Sequence, residues 1–284
     1  MKIKAFRKRV TPHPLKKDCN YPLTYILYNP EVKIKRQKRF SMKNYILWLL
    51  FCTAVLLQAD FNPQLYQATL PQTDGKKVVI EDRNIPVGSS GIVLHAFDDT
   101  HKTIVAEAIV TQKKENKITI KFRKFKRLRQ TALPEYKISP QKGDTLILNY
   151  LYNRILPVTA NEKTFKTFTK KYQSTFEIIH PDIFASQLYF EHQPQPTKED
   201  FQNACQQNDT SLLYFTIEKS GYFVDCNSFK VLYKEPLTSA IENKNAHKPF
   251  YHRLPEIKNR LGGILSSESI GDYNLYYKKL LGIK

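Results

Sequence analysis

Apolar and polar positions change their period once along this chain. Between residues 77 and 158 short apolar runs are separated by turn residues, as in β-strands. The runs are Val78–Ile80, Gly91–Ala96, Ile104–Val110, Ile118–Phe125, Thr145–Tyr150 and Ile155–Val158. Val87-Gly88-Ser89-Ser90-Gly91 and Pro140-Gln141-Lys142-Gly143-Asp144 are turn clusters between them. Strands this short and closely spaced predict a small antiparallel β-barrel or sandwich over 77–160. The polar residues 60–76, with Pro63, Pro71 and Gly75, read as a lead-in segment.

From about residue 161 the period becomes helical. Phe165, Phe168 and Tyr172 form an i, i+3, i+7 stripe. Thr175–His180 reads as a strand, and His180-Pro181-Asp182 opens a second helix with Phe184 and Leu188 on its buried side. Asp182 is the expected cap there. Thr197-Lys198-Glu199-Asp200 has the form of a capping box, followed by Phe201, Ala204 and Cys205 on one helix face. Residues 211–217 and 222–233 flank Glu218-Lys219-Ser220-Gly221, a hairpin signal. The fold class is therefore α+β: a β-rich subdomain (77–160), then an α+β subdomain (161–240) with helices packed on a short sheet. A C-terminal docking tail (241–284) breaks at Gly262-Gly263 and ends in an aromatic-rich helix over Tyr273–Leu281.

Charge changes the picture at the N-terminus. The 284 residues carry a formal +19, and residues 1–43 hold 13 Lys/Arg against 2 Asp/Glu, more than half of the excess. Residues 45–57 (YILWLLFCTAVLL) are apolar except for Thr53. A bilayer span needs about 20 such residues, whereas the apolar core of a secretory signal needs about 7–15. Read from Met42, the stretch 42–59 is a complete signal peptide, and 1–41 is then a basic extension outside the translated protein. Two other readings stay open: a signal anchor held by the positive-inside rule, and a basic arm for RNA or DNA. Either of the first two exports residues 60–284 and leaves no nucleic-acid partner expected. The segment 45–57 would engage the export machinery, or stay in the inner membrane if uncleaved. The destination is then periplasm, outer membrane or cell surface.

Composition removes several classes. Nine glycines and 16 prolines do not make a collagen-like or low-complexity chain, and four cysteines are too few for a disulfide scaffold. One apolar run near membrane length is not a polytopic membrane protein.

Candidate chemistry is sparse. Walker A, dinucleotide-fingerprint, nucleophile-elbow and HExxH patterns are all absent from the sequence, so no catalytic residue or cofactor is assigned. His95 and His101 flank a turn, but two ligands rarely hold a metal, and no metal is expected. His180, Asp182 and Cys226 contain the parts of an activated thiol; the competing reading is a helix corner and a buried or bonded cysteine. Cys205 and Cys226 are either a disulfide, permitted in an oxidising compartment, or two buried thiols. KFRKFKRLRQ (121–130) is the sharpest charge feature. Its Lys121, Arg123, Lys124, Lys126, Arg127 and Arg129 form a candidate patch for an anionic ligand, or a charged edge strand protected from aggregation. Lys284 places an ammonium and an α-carboxylate at opposite ends of one side chain.

Four stretches carry a family resemblance: GIVLHA (91–96); GDTLILNYLYNRIL (143–156); IHPDIFA (179–185) with PTKEDF (196–201); and GYFVDCNSF (221–229). GDYNLYYKKLLG (271–282) closes the pattern. In order and spacing they resemble the bacterial plasminogen-binding protein N-terminal domain family over about residues 80–284. The resemblance implies an exported, non-enzymatic domain that binds host plasminogen through lysines read by kringle sites. Lys284, Lys278 and Lys279 are the candidates. The alternative is a structural envelope protein that binds a cell-wall component, lipopolysaccharide or another anionic ligand.

Overall fold

The computed structural model describes residues 60–125, 127, 138–259 and 270–284. The readings placed on residues 1–59 and on Gly262-Gly263 lie outside these. Among the described residues no helix is long and apolar enough to cross a membrane.

Six strands build the first sheet: β1 (Tyr66–Thr69), β2 (Lys77–Glu81), β3 (Ser90–Ala96), β4 (Lys102–Lys114), β5 (Lys117–Arg123) and β6 (Thr145–Leu148). They lie in the order β1-β6-β3-β4-β5-β2, antiparallel throughout. The sheet curls into a half-barrel whose inner face gathers Val78, Val93, Ala106, Ala108, Val110, Ile118, Ile120, Leu146 and Leu148. Alternation places these residues inside, because successive side chains on a strand point to opposite faces. Two details differ from the sequence reading. The lead-in segment contributes β1, which pairs with β6; four residues of mixed polarity carry too little periodicity to announce a strand. Ile155–Val158 leaves this sheet altogether.

That run is β7 (Arg154–Val158), an inner strand of a second sheet with β8 (Glu177–Ile178), β9 (Leu212–Ile217), β10 (Ser220–Asp225) and β11 (Val231–Pro236), ordered β11-β10-β9-β7-β8. β7 is parallel to both β8 and β9, while β9, β10 and β11 form an antiparallel meander. The apolar run 222–233 is thus two strands, turned at Cys226–Lys230. Helices α1 (Glu162–Tyr172), α2 (Pro181–Glu191), α3 (Lys198–Gln207) and α4 (Tyr273–Leu281) complete the fold. The α+β class is as expected.

Both faces of the second sheet are covered. Leu156, Val158, Leu213, Phe215, Ile217 and Val224 meet α2, α3 and α4. On the other face Ile155, Leu212, Tyr214 and Phe223 meet Phe61 and the Phe168 and Tyr172 stripe of α1. β9 is buried at every position for this reason, and reads as a continuous apolar run. The layering follows from connection handedness. β7 steps through α1 to β8 on one side, and β8 returns through α2 and α3 to β9 on the other. Right-handed crossovers in opposite directions place their helices on opposite faces.

Helix starts follow the local sequence. Thr197 and Asp200 close a reciprocal capping box on α3. α2 is capped by the ring of His180, which accepts from the N–H of Asp182; Asp182 itself receives the Arg253 guanidinium at 2.7 Å. The expected cap residue is thus displaced by two positions. Cys205 of α3 is joined to Cys226 by a disulfide, which ties this helix to the turn after β10.

Candidate functional site

In parallel sheets a ligand crevice forms where successive crossovers leave on opposite faces. Here that place is the carboxyl ends of β7 and β8. The segment 247–251 covers it: the N–H of His247 donates to the Ala160 carbonyl and that of Tyr251 to the Thr159 carbonyl, both at 2.7 Å.

An open concavity lies elsewhere, where the start of β3 meets the end of β10 and α3. It is a cleft of about 440 Å³. A buried polar clasp holds its floor. Asp225, at the end of β10, accepts from the Ser90 hydroxyl, from Tyr152 Oη at 2.7 Å and from the Ser228 N–H at 2.6 Å. The Ser90 N–H donates to Tyr152 Oη at 3.0 Å, and Asn227 Nδ2 donates to the Ser90 hydroxyl at 3.0 Å. Burial raises the carboxyl of Asp225 above the usual range, against the hydrogen bonds that favour its charged form. Burial, then the neighbouring Asp225 charge, pushes the Tyr152 phenol well up. The clasp ties the first sheet to the second at the cleft.

The walls come from β4, β5 and α3. Glu107 on β4 receives Arg123 of β5 through two guanidinium nitrogens, at 2.9 and 3.2 Å. Burial raises the Glu107 carboxyl, and the Arg123 charge opposes the rise. Arg127 is 8% exposed. Its Nη2 donates to the Thr210 carbonyl at 2.9 Å and to Ser211 Oγ at 3.4 Å, while its Nη1 is buried without a partner among the described residues. Burial lowers its pKa, opposed by the charges of Asp209 and Glu107. From α3, Gln202 donates to the carbonyls of Cys226 and Asn227, at 3.1 and 3.0 Å, and Asn203 and Gln206 complete the wall.

The structure separates the residues that the sequence groups in 121–130. Lys121 is exposed on β5 opposite Lys77, whereas Arg123, Lys124 and Arg127 line the cleft. Lys126 and Arg129 lie outside the described residues. Cys226 is bonded to Cys205, so the His180–Asp182–Cys226 set holds no free thiol. His95 sits 2.7 Å from Asp144, and His101 pairs with Asp98 at 2.8 Å. Among the described residues no group of three or more His, Cys, Asp or Glu side chains gathers as metal ligands would. Lys278 donates to Glu218 at 2.7 Å, while Lys279 and Lys284 are exposed. Sequence reasoning missed Ser90, Tyr152 and Asp225. Their contacts span sequence separations of 62, 73 and 135 residues, and no local period marks them.

No solved structure matches this chain. Two curated relatives do, the proteins named plasminogen-binding protein PgbA of Helicobacter pylori strains 26695 and J99. Each is 21% identical over 243 residues, 84% of this chain. The chain spans about half the length of these relatives, 52% and 53%. The family model described as plasminogen-binding protein pgbA N-terminal matches residues 66–281, which hold every strand of both sheets and the four helices among the described residues. This match bears out the resemblance read from the sequence, and the chain belongs to the family described as plasminogen-binding protein pgbA N-terminal.

Proposed function

We propose that this protein is an exported, non-enzymatic binding protein that engages plasminogen through exposed lysines. Lys279 and Lys284 come first, and Lys278 second. The observation that carries the reading is the C-terminal helix. Tyr273 and Tyr277 bury one side of α4 in the core, and Gly282 ends it in a left-handed cap. Lys279 and Lys284 are therefore exposed on a fixed base. A kringle lysine site takes an ammonium into an aromatic, charged trough, so the donor must be free to leave its own surface. Lys278 must first leave Glu218. The names of the relatives support plasminogen as the partner. The Cys205–Cys226 bond supports export, because oxidising compartments favour disulfides, and it removes the only thiol nucleophile the sequence suggested.

The test is binding of the full chain to immobilised plasminogen, with and without 6-aminohexanoate as a lysine analogue. Competable binding that falls at least about tenfold in Lys279→Ala/Lys284→Ala supports the reading. Binding indifferent to the analogue, or no binding, overturns it.

A second reading, an anionic envelope ligand, is favoured by one observation: Arg123, Lys124 and Arg127 line the same cleft.

A further inference from the structure

We propose that the cleft is a binding site for an acidic sugar, a saccharide bearing a single carboxylate, with Arg127 reading the carboxylate. The inference rests on the second reading above and names its ligand class.

Arg127 is the first argument. Its guanidinium is buried at the cleft wall, fixed through Nη2 to Thr210 and Ser211, and Nη1 has no partner among the described residues. Buried donors are almost always paired, so one left unpaired at a cavity marks the place of a missing acceptor. A guanidinium offers a planar array of donors, which matches a carboxylate better than a point charge does.

Charge balance is the second. Arg123, Lys124 and Arg127 line the cleft with Glu107 and Glu199, and Asp225 at the floor is already engaged by Ser90, Tyr152 and Ser228, so the lining side chains carry an excess of one positive charge. Glu107 already occupies Arg123. A phosphate or sulfated polymer would bring several negative charges against these two carboxylates, whereas a single carboxylate fits the excess. The remaining carboxylate lone pairs accept from hydroxyls, which a sugar supplies.

The lining is the third. Asn203 and Gln206 stand three positions apart on α3, hence on one helix face. Each amide pairs a donor with an acceptor, the complement of neighbouring ring hydroxyls. Tyr150 and Phe125 are half-buried rings at the rim, flat apolar faces for the C–H side of a sugar ring. The volume of about 440 Å³ lies within the range of small-molecule sites. Four polar amides and three cations in the lining do not suit an acyl chain or an apolar peptide side chain.

The experiment is calorimetric titration of the full chain with D-glucuronate, D-galacturonate, N-acetylneuraminate and N-acetylmuramate. D-glucose, D-galactose and N-acetylglucosamine are the neutral arm; inorganic phosphate and a heparin oligosaccharide are the polyanion arm. At least one acidic sugar should bind about tenfold more tightly than the neutral sugars. Arg127→Gln should lose that preference. Because Arg127 also holds the Thr210 carbonyl, Gln206→Leu is the second variant; it leaves the guanidinium in place and should weaken the acidic sugar several-fold. Circular dichroism of both variants checks folding. Acidic sugars that fail to bind at about 10 mM, or that bind Arg127→Gln and Gln206→Leu unchanged, overturn the proposal. If phosphate or heparin then binds in an Arg127-dependent way, the broader anionic reading stands without it. If no anion binds, both fall.

Discussion

The phenolic hydroxyl of Tyr152 donates to Oδ2 of Asp225 at 2.7 Å and accepts the backbone N–H of Ser90 at 3.0 Å. One oxygen thus links the end of β10, the start of β3 and the loop between β6 and β7. Removing the carboxylate leaves the Ser90 and Tyr152 hydroxyls and the Ser228 N–H without an acceptor in a buried place. Asp225→Ala should cost about 3 kcal/mol in urea unfolding, and Tyr152→Phe about 1–2 kcal/mol. The double variant should lose less than the sum, since both act on one network. A strictly additive pair would show that the clasp does not act as a unit.

The disulfide closes a loop of 21 residues between α3 and the turn that follows β10. Loop-closure entropy for that separation is about 3 kcal/mol. Cys226→Ser, or reduction, should lower stability by that order and loosen the wall that Gln202 pins to the Cys226 and Asn227 carbonyls. Titration of the denatured chain should find Cys205 and Cys226 without free thiols, and melting with and without reductant gives the magnitude. Equal melting temperatures would refute the stabilising role.

Gly91 pairs with Leu148 of β6 and Ala108 of β4. A Cβ there would meet the Ile147 carbonyl oxygen and come within 2.7 Å of the Leu148 Cα, both backbone atoms of a paired strand. Neither can yield without breaking the β3–β6 ladder. Gly91→Ala should cost about 3 kcal/mol or more. Gly271 meets nothing within 4 Å, so Gly271→Ala should stay within about 0.5 kcal/mol of the parent or stabilise slightly. Comparable losses at both sites would contradict the close-approach argument.

Stability should fall as pH drops from neutral. Burial lowers the pKa of His252 below its ordinary 6.5, aided by the nearby charge of His247. Burial also lowers His180, where Asp182 opposes it. Protons then bind the unfolded chain first, so stability declines from about pH 7 and levels off only below the folded-state values. His252→Phe, which keeps a ring beside Phe250, should flatten the slope of unfolding free energy between about pH 7 and pH 5. An unchanged slope would assign the effect to other groups.

Most of the secondary structure is legible along the chain. The capping box at Thr197, the hairpin over 218–221 and the span of α4 follow from local residue chemistry, and the structure has them there. β7 was harder. Its residues Ile155, Leu156, Pro157 and Val158 are buried on both faces, so alternation gave no sign of which sheet they join. β1 depends on β6 for its existence, and four residues cannot show a period. The basic run 121–130 reads as one patch, yet pairing with Glu107 and burial against Thr210 separate Arg123 and Arg127 from the exposed Lys121.

Period, capping and turn chemistry act over a few residues, and through them the sequence alone determined the α+β class, the helix starts and the core side of α1, α2 and α3. The order of its short motifs also placed it in its family. The clasp of Ser90, Tyr152 and Asp225, the cleft beside it and the unpaired nitrogen of Arg127 were decided only in three dimensions. Each depends on groups brought together across 62 to 135 residues, where no local preference acts and only burial and hydrogen-bond satisfaction select the partner.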